Sequence, residues 1–343
     1  MMINLNIMSA NKVVPLFLEV VVLISLVVTT SVSVKPSNRA KCLNTIKEVN
    51  RKGPYIGLIT VFPPEEEEFF ATQAFKHHPT HPFVDLAGRR FRVGKINGKK
   101  VIYVRCGVGM VNGAAATQQM VDFFDVKGVV HFGIAGNVNN SMSIGDVTIP
   151  QLFAHTALWD WLNPNATLDP SYVAHLDFKS YNVPKSWDGS NLLGRLAYNS
   201  EQFFSDSGTP NIAQPLLWAQ VSMHWLQLAT NLEGMALEQC VNLSLCLKEK
   251  PKLVVGLRGS TANIFVDNAA YRDFLFQTFQ VSSVDMESSA VVMTSLSNGL
   301  PVIVIRGRSD IAGRQSGTND IQIFGSLAAR NAAEVVVQFI KKL

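Results

Sequence analysis

Short apolar runs alternate with amphipathic segments along most of this chain, and this order predicts strands that alternate with helices. Residues 55–62 form an apolar, β-branched run typical of a buried strand. The runs 90–96 and 101–106 flank Asn97-Gly98, which favours a tight turn between antiparallel strands. The same patterns predict further strands at 126–133, 146–150, 253–257, 281–286 and 301–306, and helices at 65–74, 112–124, 268–279, 287–296 and 321–341.

The middle of the chain interrupts this alternation. Between residues 151 and 218 the periodicity is lost, and all five tryptophans lie between Trp159 and Trp225 among many Asn, Asp, Pro and Ser residues. A separate second domain would also explain the change, but the strand–helix pattern returns afterwards. We therefore predict one domain over 55–343 with an irregular Trp-rich insertion at 151–218. The alternating elements indicate an α/β fold with a mixed central β-sheet flanked by helices on both faces.

The first 33 residues have the pattern of a signal peptide. Lys12 precedes an apolar stretch whose uninterrupted part, 20–28, is shorter than the roughly 20 residues that cross a bilayer, and small residues follow it. A single membrane anchor is the alternative, which Glu19 within the apolar stretch disfavours. We therefore expect a signal peptide at 1–33, a polar lead at 34–54 and no stable membrane anchor. The expected location is the secretory pathway, either extracellular or vacuolar.

Cysteine usage fits that route. Cys240 and Cys246 are six positions apart in a polar-flanked segment and are the expected disulfide, because an oxidising compartment lets cysteines pair. Cys106 ends an apolar run and is expected to be a buried free thiol. Three glycosylation sequons, which suit the same route, begin at Asn139, Asn165 and Asn242.

Composition narrows the function classes. With 343 residues, 47% of them hydrophobic, the chain can bury one sizeable core. Its formal net charge of +4 is mild and no block of Lys and Arg stands out, so nucleic acid is not an expected partner. Neither a Walker A nor a dinucleotide fingerprint occurs. We interpret the Pro-containing loop with His77, His78 and His81 as solvated, so no metal or other cofactor is predicted.

Carboxylates follow three predicted strands, at the edge where α/β sheets bind ligands. They are Glu65, Glu287 and Asp310. Each alone is more often structural, since a glutamate in the first turn of a helix is favoured by the helix dipole. Together, one carboxylate can accept the two hydrogen bonds of a ribose 2′,3′-diol, and another, protonated through burial, can donate a proton to a purine nitrogen. Glycine turns at 107–109 and 133–136 can bring backbone N–H groups close to the same ligand.

Two motifs carry a resemblance to a known family. The sequences Val-Asp-Met-Glu-Ser-Ser-Ala at 284–290 and Arg-Gly-Arg-Ser-Asp at 306–310 resemble the ribose and base motifs of the nucleoside phosphorylase superfamily. Within it, the 5′-methylthioadenosine/S-adenosylhomocysteine nucleosidase branch is the most similar, over residues 55–150 and 253–343. With its leader and insertion, the chain looks most like the plant bark and vegetative storage proteins of that superfamily.

The resemblance implies a small-molecule nucleoside as partner, a homo-oligomer and no cofactor. Cleavage of an N-glycosidic bond passes through an oxocarbenium-like sugar, which nearby carboxylates stabilise. The matching residues imply the following roles: Glu65 and Asp310 are catalytic, the first by activating water and the second by protonating the purine; Met286 and Glu287 bind the ribose; and Phe265, Val266 and Ser309 bind the base.

Two positions depart from the superfamily pattern. His131 and Ile134 stand where its phosphorylases tend to have an Arg and a Ser or Thr that bind phosphate. The side chain of Ile134 cannot form a hydrogen bond, and histidine is mostly neutral at pH 7. The sequence therefore predicts a poor phosphate site. Three functions stay open: a phosphate-independent purine nucleosidase, a nitrogen storage protein with a vestigial site, and a non-catalytic binder of a nucleoside or adenine.

Overall fold

A computed structural model describes residues 36–163, 165–178, 193–314 and 319–343. The predicted signal peptide at 1–33 lies outside these residues. The chain divides into two compact units, Met1–Lys47 and Glu48–Leu343. The polar lead at 34–54, for which the pattern predicts no element, contains helix α1 (Pro36–Asn50), most of which belongs to the first unit.

The second unit is built around a mixed sheet to which 13 strands of the described residues belong. Its helices are α2 (Pro63–Ala71), α3 (Met110–Phe123), α4 (Met223–Thr230), α5 (Ala269–Phe279), α6 (Ser288–Ser297) and α7 (Ile321–Lys342). The strands are β1 (Tyr55–Thr60), β2 (Phe75–His77), β3 (Phe83–Leu86), β4 (Arg89–Ile96), β5 (Lys99–Arg105), β6 (Val126–Asn137), β7 (Val147–Ile149), β8 (Leu152–His155), β9 (Trp159–Leu162), β10 (Ala174–Asp177), β11 (Arg195–Tyr198), β12 (Glu201–Phe203), β13 (Gln214–Leu216), β14 (Trp218–Gln220), β15 (Cys240–Asn242), β16 (Leu245–Cys246), β17 (Leu253–Val255), β18 (Arg258–Thr261), β19 (Ser283–Asp285) and β20 (Val302–Ile311).

Parallel and antiparallel pairs meet in the central sheet, which confirms the predicted mixed topology. The order is β14-β8-β18-β19-β6-β1-β5-β4-β2, and β20 pairs with β6 and β7. Pairing is parallel between β1 and β6 but antiparallel between β4 and β5. Helices cover both faces of β20. Successive residues of a strand point to opposite faces, so Gly307 and Arg306 report on different sides. Gly307 packs so closely on α7 that a Cβ there would lie 2.1 Å from the carbonyl oxygen of Ala328, whereas the side chain of Arg306 contacts Ser288 of α6.

The hairpin predicted from Asn97-Gly98 is present. Strands β4 and β5 pair in antiparallel register up to Ile96 and Lys99. Asn97 and Gly98 have φ angles of 48° and 80°, the left-handed conformation that a two-residue turn of this type requires. Asparagine and glycine adopt it at low cost, so this local pair determines the register of the hairpin.

The insertion is more regular than its sequence pattern predicts. Within it, β9, β10 and β11 form a three-stranded antiparallel sheet, and β12 pairs with β13. Strands β8 and β14, near the two ends of the insertion predicted at 151–218, pair with each other in the central sheet. The small sheet packs on the main core through Tyr198, whose ring contacts Phe274 and Phe279 of α5.

Both cysteine expectations agree with the structure. A disulfide joins Cys240 and Cys246. Cys106 is a buried free thiol, and burial, followed by the nearby charge of Glu287, raises its pKa to about 12. The thiol is therefore neutral and unreactive at physiological pH.

Among the helices that the structure describes, only α7 is long and apolar enough to cross a bilayer. Most of its apolar stretch is buried inside the fold, including Val335, Val336, Phe339 and Ile340. This burial is that of a core helix, which packs against β20 and β6.

Candidate functional site

The ends of β1, β6, β19 and β20 surround one pocket of about 200 Å³. Because β1 and β20 both run parallel to β6, their carboxyl ends meet at the same edge of the sheet. The structure therefore brings together every site residue expected from the sequence, while their individual roles stay predictions. All seven line the pocket: Glu65, Phe265, Val266, Met286, Glu287, Ser309 and Asp310.

Glu65, in the first turn of α2, is a buried carboxylate held by short hydrogen bonds. It is 2% exposed. Its Oε2 atom accepts hydrogen bonds from the Thr60 hydroxyl and the Val61 N–H, both at 2.7 Å, and its Oε1 atom accepts one from the Ile134 N–H at 2.7 Å. Burial raises the pKa of Glu65, against the opposing effects of the Arg306 charge and these hydrogen bonds. Glu65 thus joins the ends of β1 and β6, and Oε1 keeps an acceptor position for a ligand.

Glu287 is placed at the N-terminal cap of α6 and is 4% exposed. Its Oε1 atom accepts a 2.8 Å hydrogen bond from the N–H of Gly109, whose φ of +97° suits glycine. Its Oε2 atom lies 3.5 Å from Nη2 of Arg306. Burial raises the pKa of Glu287 to about 7; the Arg306 charge opposes this rise, whereas Asp285 and Glu65 add to it. Glu287 therefore changes charge near neutral pH.

Arg306 is the counter-ion beneath the pocket, and the sequence motifs assign it no role. The guanidinium is fully buried. Its Nε atom lies 3.2 Å from Oδ2 of Asp285 and donates to the Ser288 hydroxyl at 3.1 Å, while Nη1 donates to the carbonyl of Ile134 at 3.2 Å. Burial alone would raise the pKa of Asp285, but the Arg306 charge and several hydrogen bonds hold it below its usual range. Asp285 is therefore ionised and compensates Arg306.

Asp310 lies at a β-bulge near the end of β20. The pairing with β6 shifts register between Arg308 and Asp310, and such bulges redirect side chains. Asp310 is 3% exposed, and burial raises its pKa. Ser309 opposes that rise by donating from its hydroxyl to Oδ1 of Asp310 at 2.6 Å. The hydroxyl thus fixes the orientation of a carboxyl group that burial favours in its protonated form.

Apolar side chains form the other walls of the pocket. Phe265 is 56% exposed at its mouth, Val266 is buried, and Met286 is half-buried. A ring and a flexible thioether of this kind can cover a flat base or the apolar face of a sugar.

The pocket offers little attraction for phosphate. His131 is fully buried and does not line it, whereas Ile134 does. In the part of the chain that the structure describes, no Lys or Arg lines the pocket, and no group of three or more His, Cys, Asp or Glu could hold a metal ion. Its lining includes four carboxylic acids: Glu65, Asp285, Glu287 and Asp310.

Sequence comparison identifies the family. A family model described as the phosphorylase superfamily matches residues 55–341. The chain belongs to the phosphorylase superfamily. Among its relatives, bark storage protein A of Populus deltoides is 33% identical over 314 residues, which cover 90% of this chain and 96% of that protein. Bark storage protein B of the same species is 35% identical over 262 residues, with 76% and 80% covered.

More distant relatives and structural neighbours are named as enzymes. The 5′-methylthioadenosine/S-adenosylhomocysteine nucleosidase of Listeria innocua is 23% identical, covering 77% of this chain and 91% of that protein. The Helicobacter pylori nucleosidase of the same name, solved with butyl-thio-DADMe-Immucillin-A, superposes with a TM-score of 0.59 at 18% identity, covering 85% of this chain and all of that one. The futalosine hydrolase of H. pylori gives 0.58 at 17% identity, with 84% and 98% covered. At such identities the similarity shows a shared fold.

Proposed function

We propose that this chain hydrolyses the N-glycosidic bond of a purine ribonucleoside without using phosphate. The observation that supports this function is the convergence of three buried acids, Glu65, Glu287 and Asp310, on one pocket. Relatives named as nucleosidases, and a structural neighbour solved with an immucillin, favour a nucleoside as the ligand.

In the proposed reaction, the bond between C1′ of the ribose and the purine nitrogen breaks, and its electron pair leaves with the base. Asp310 donates a proton to the purine, which makes the base a better leaving group. Water adds to C1′ and loses a proton to Glu65 through the acceptor position on Oε1. The negative charge of Glu287 stabilises the oxocarbenium-like sugar. The carboxylate oxygens of Glu287 accept hydrogen bonds from the ribose diol.

Water fits this site better than phosphate does as the nucleophile. A phosphate dianion would lie close to the ionised Glu65 and Glu287 that the proposed reaction requires, and like charges at close range repel strongly where water is excluded. Arg306, the nearest guanidinium, is fully buried and bonded to Asp285, Ser288 and Ile134. The charge distribution therefore favours hydrolysis over phosphorolysis.

Ribose recognition is expected to strengthen as pH rises, because ionised Glu287 is the better acceptor. Its pKa of about 7 implies about tenfold more carboxylate at pH 8 than at pH 6. Titration calorimetry should then show the preference for adenosine over 2′,3′-dideoxyadenosine rising by about that factor across this range. In Glu287→Gln the preference should be small and independent of pH. A preference that is flat in the unmodified protein would contradict the assignment.

Base release from a panel of nucleosides tests the proposed function. We expect the purified chain to release free base from at least one of adenosine, 5′-methylthioadenosine and inosine, as measured by chromatography. Glu65→Gln should lose this activity because it removes the proton acceptor for water. Asp122→Asn, at an exposed position on α3, should keep it. Absence of base release from all three nucleosides at high protein concentration would exclude the proposal.

Storage is a second candidate function, and two observations favour it. The identity of 33% to bark storage protein A extends over 96% of that protein. Ile134 also places an apolar side chain beside Glu65, where the superfamily's enzymes tend to have a hydroxyl residue. If the protein cleaves no nucleoside and calorimetry shows no binding, the result supports storage. Binding without cleavage would support the third function, a non-catalytic binder of a nucleoside or adenine.

We also propose that residues 1–33 are removed and that the mature protein enters the secretory pathway, extracellular or vacuolar. Asn165 and Asn242 are exposed, whereas the part-buried Asn139 donates its side-chain N–H to the Ser282 hydroxyl. Mass spectrometry of protein from native tissue should therefore find an N-terminus near Val34 and glycans at the two exposed sequons. An intact Met1, or a glycan at Asn139 alone, would contradict this.

A homo-oligomer completes the proposal. Val108, Val111 and Phe265 are more than half exposed, and two of them line the pocket. A second copy that covers them would exclude water from the mouth of the pocket. Analytical ultracentrifugation should show an assembly, and Val111→Glu should dissociate it.

A further inference from the structure

His131 is a buried histidine in direct contact with the counter-ion of the site, and the proposed reaction gives it no part. It lies on β6, which pairs with both β1 and β20, and its side chain is fully buried. The Nδ1 atom is 2.9 Å from the carbonyl oxygen of Ile59, and the Nε2 atom is 2.5 Å from Nη2 of Arg306.

These two contacts determine the tautomer of His131. A carbonyl oxygen can only accept, so Nδ1 carries the proton and donates it to Ile59. A guanidinium can only donate, so Nε2 must be unprotonated and accept from Arg306. A charged imidazolium would have no acceptor for Arg306 and would place two cations in contact. The geometry therefore requires a neutral ring.

We propose that His131 is a positioning residue that holds the Arg306 guanidinium back from Glu287, so that a Glu287 oxygen stays available to the ribose diol. This inference rests on the proposed role of Glu287 as the ribose ligand.

Hydrogen-bond geometry at Nη2 of Arg306 carries the argument. This nitrogen has two protons and two close acceptors, Nε2 of His131 at 2.5 Å and the Ser288 hydroxyl at 2.9 Å. Oε2 of Glu287 lies at 3.5 Å, beyond the usual range of 2.7–3.2 Å for such bonds. Without the acceptor on His131, one proton of Nη2 would lack a close partner. In a buried site that proton would turn to Glu287, because an unpaired buried donor is costly.

The surrounding charges agree with this role. The charges that shift the pKa of Glu287 are those of Arg306, Asp285 and Glu65, and the neutral thiol of Cys106 also lies near it. The charges that shift the pKa of His131 are those of Arg306 and Asp285. Burial, followed by the Arg306 charge, lowers the pKa of His131 to about 3. The ring therefore stays a neutral acceptor throughout the pH range in which Glu287 ionises.

Two substitutions at position 131 separate positioning from simple packing. His131→Leu fills the space but removes the acceptor, whereas the amide oxygen of His131→Gln can reach the place of Nε2. The readout is the pKa of Glu287 in the whole protein without ligand, from ¹³C-carboxyl NMR, with its resonance assigned by its absence in Glu287→Gln. We expect His131→Leu to lower that pKa by about one unit, since Arg306 then pairs closely with Glu287. His131→Gln should stay close to the unmodified protein.

An unchanged Glu287 pKa in His131→Leu, or an equal fall in both variants, would overturn the proposal. If His131→Leu does not fold, ¹⁵N NMR of the unmodified protein decides: a neutral ring protonated at Nδ1 from pH 5 to 8 supports it, and a charged ring or an Nε2 proton refutes it. The Glu287 pKa and the His131 tautomer are both measured without a nucleoside. The role of His131 can therefore be tested even if the protein binds no nucleoside, a result that would refute the proposed function alone.

Discussion

Replacement of Arg306 by methionine is expected to destabilise the protein by about 3–5 kcal/mol, the usual cost of removing one partner from a buried ion pair. The guanidinium lies between Asp285 and Glu287 and is fully buried. Without it, these carboxylates keep the cost of burial and lose the charge that offsets it. They would take up protons in the folded state, so their folded-state pKa values would rise above those of the unfolded chain.

The pH dependence of this loss has a definite sign. Acids with a raised folded-state pKa bind more protons when folded, so the stability of Arg306→Met should fall as pH rises from 5 to 8. Urea unfolding at both pH values measures it. Arg90→Met is the matched control, because Arg90 pairs with Asp85 at 2.7 Å with both side chains about half exposed. An exposed pair of this kind contributes little to stability, because water screens its charges. Equal effects of the two substitutions would contradict the proposed role of Arg306.

Asp310→Asn is expected to lower the rate of base release by at least about 100-fold, the low end for loss of a general acid. The carboxamide can still donate a hydrogen bond to the purine, but it cannot transfer a proton. Nucleoside affinity should therefore change little while kcat falls. Stopped assays of base release, with calorimetry on the same samples, separate the two quantities.

A matched carboxylate shows whether the effect is local. Asp122→Asn makes the same substitution at an exposed position and should leave kcat unchanged. A rate for Asp310→Asn within a few-fold of the unmodified protein would remove Asp310 from the chemistry. A loss of affinity as large as the loss of rate would instead assign it to binding.

Local chemistry explains which parts of the fold were predictable. Asn97-Gly98 specifies a hairpin by itself, because both residues tolerate left-handed backbone conformations. The sequence pattern ends β6 near Gly133 and β20 near Arg306, but the strands continue to Asn137 and Ile311. The apolar run of β20 gives way to polar residues after Ile305, and such a change usually marks the end of a strand. Arg306 remains within the strand because Asp285 and Ser288 satisfy its buried guanidinium.

The regular structure of the insertion was not predictable in the same way. Strand β11 lies between β9 and β10, and these pairings join residues far apart in the chain. Pairing across such distances is decided by packing, which local periodicity does not report. Helix α1 was missed because its sequence lacks a clear apolar stripe.

The candidate site shows the same division. All seven site residues expected from the sequence line the pocket. They could be found because strand ends carry ligand groups in this fold class. They did not indicate that Arg306 links Asp285, Glu287 and Ser288, since this contact joins β19, β20 and α6 in space. The placement of His131 beneath the pocket is likewise a property of the packed sheet.

The sugar product formed in phosphate buffer distinguishes hydrolysis from phosphorolysis. A nucleoside that the protein accepts is incubated with and without phosphate, and the sugar is identified by ¹H and ³¹P NMR. Hydrolysis by water predicts free sugar and free base at equal rates in both samples, because the carboxylates of the pocket repel phosphate. A sugar 1-phosphate that forms only when phosphate is present would contradict it.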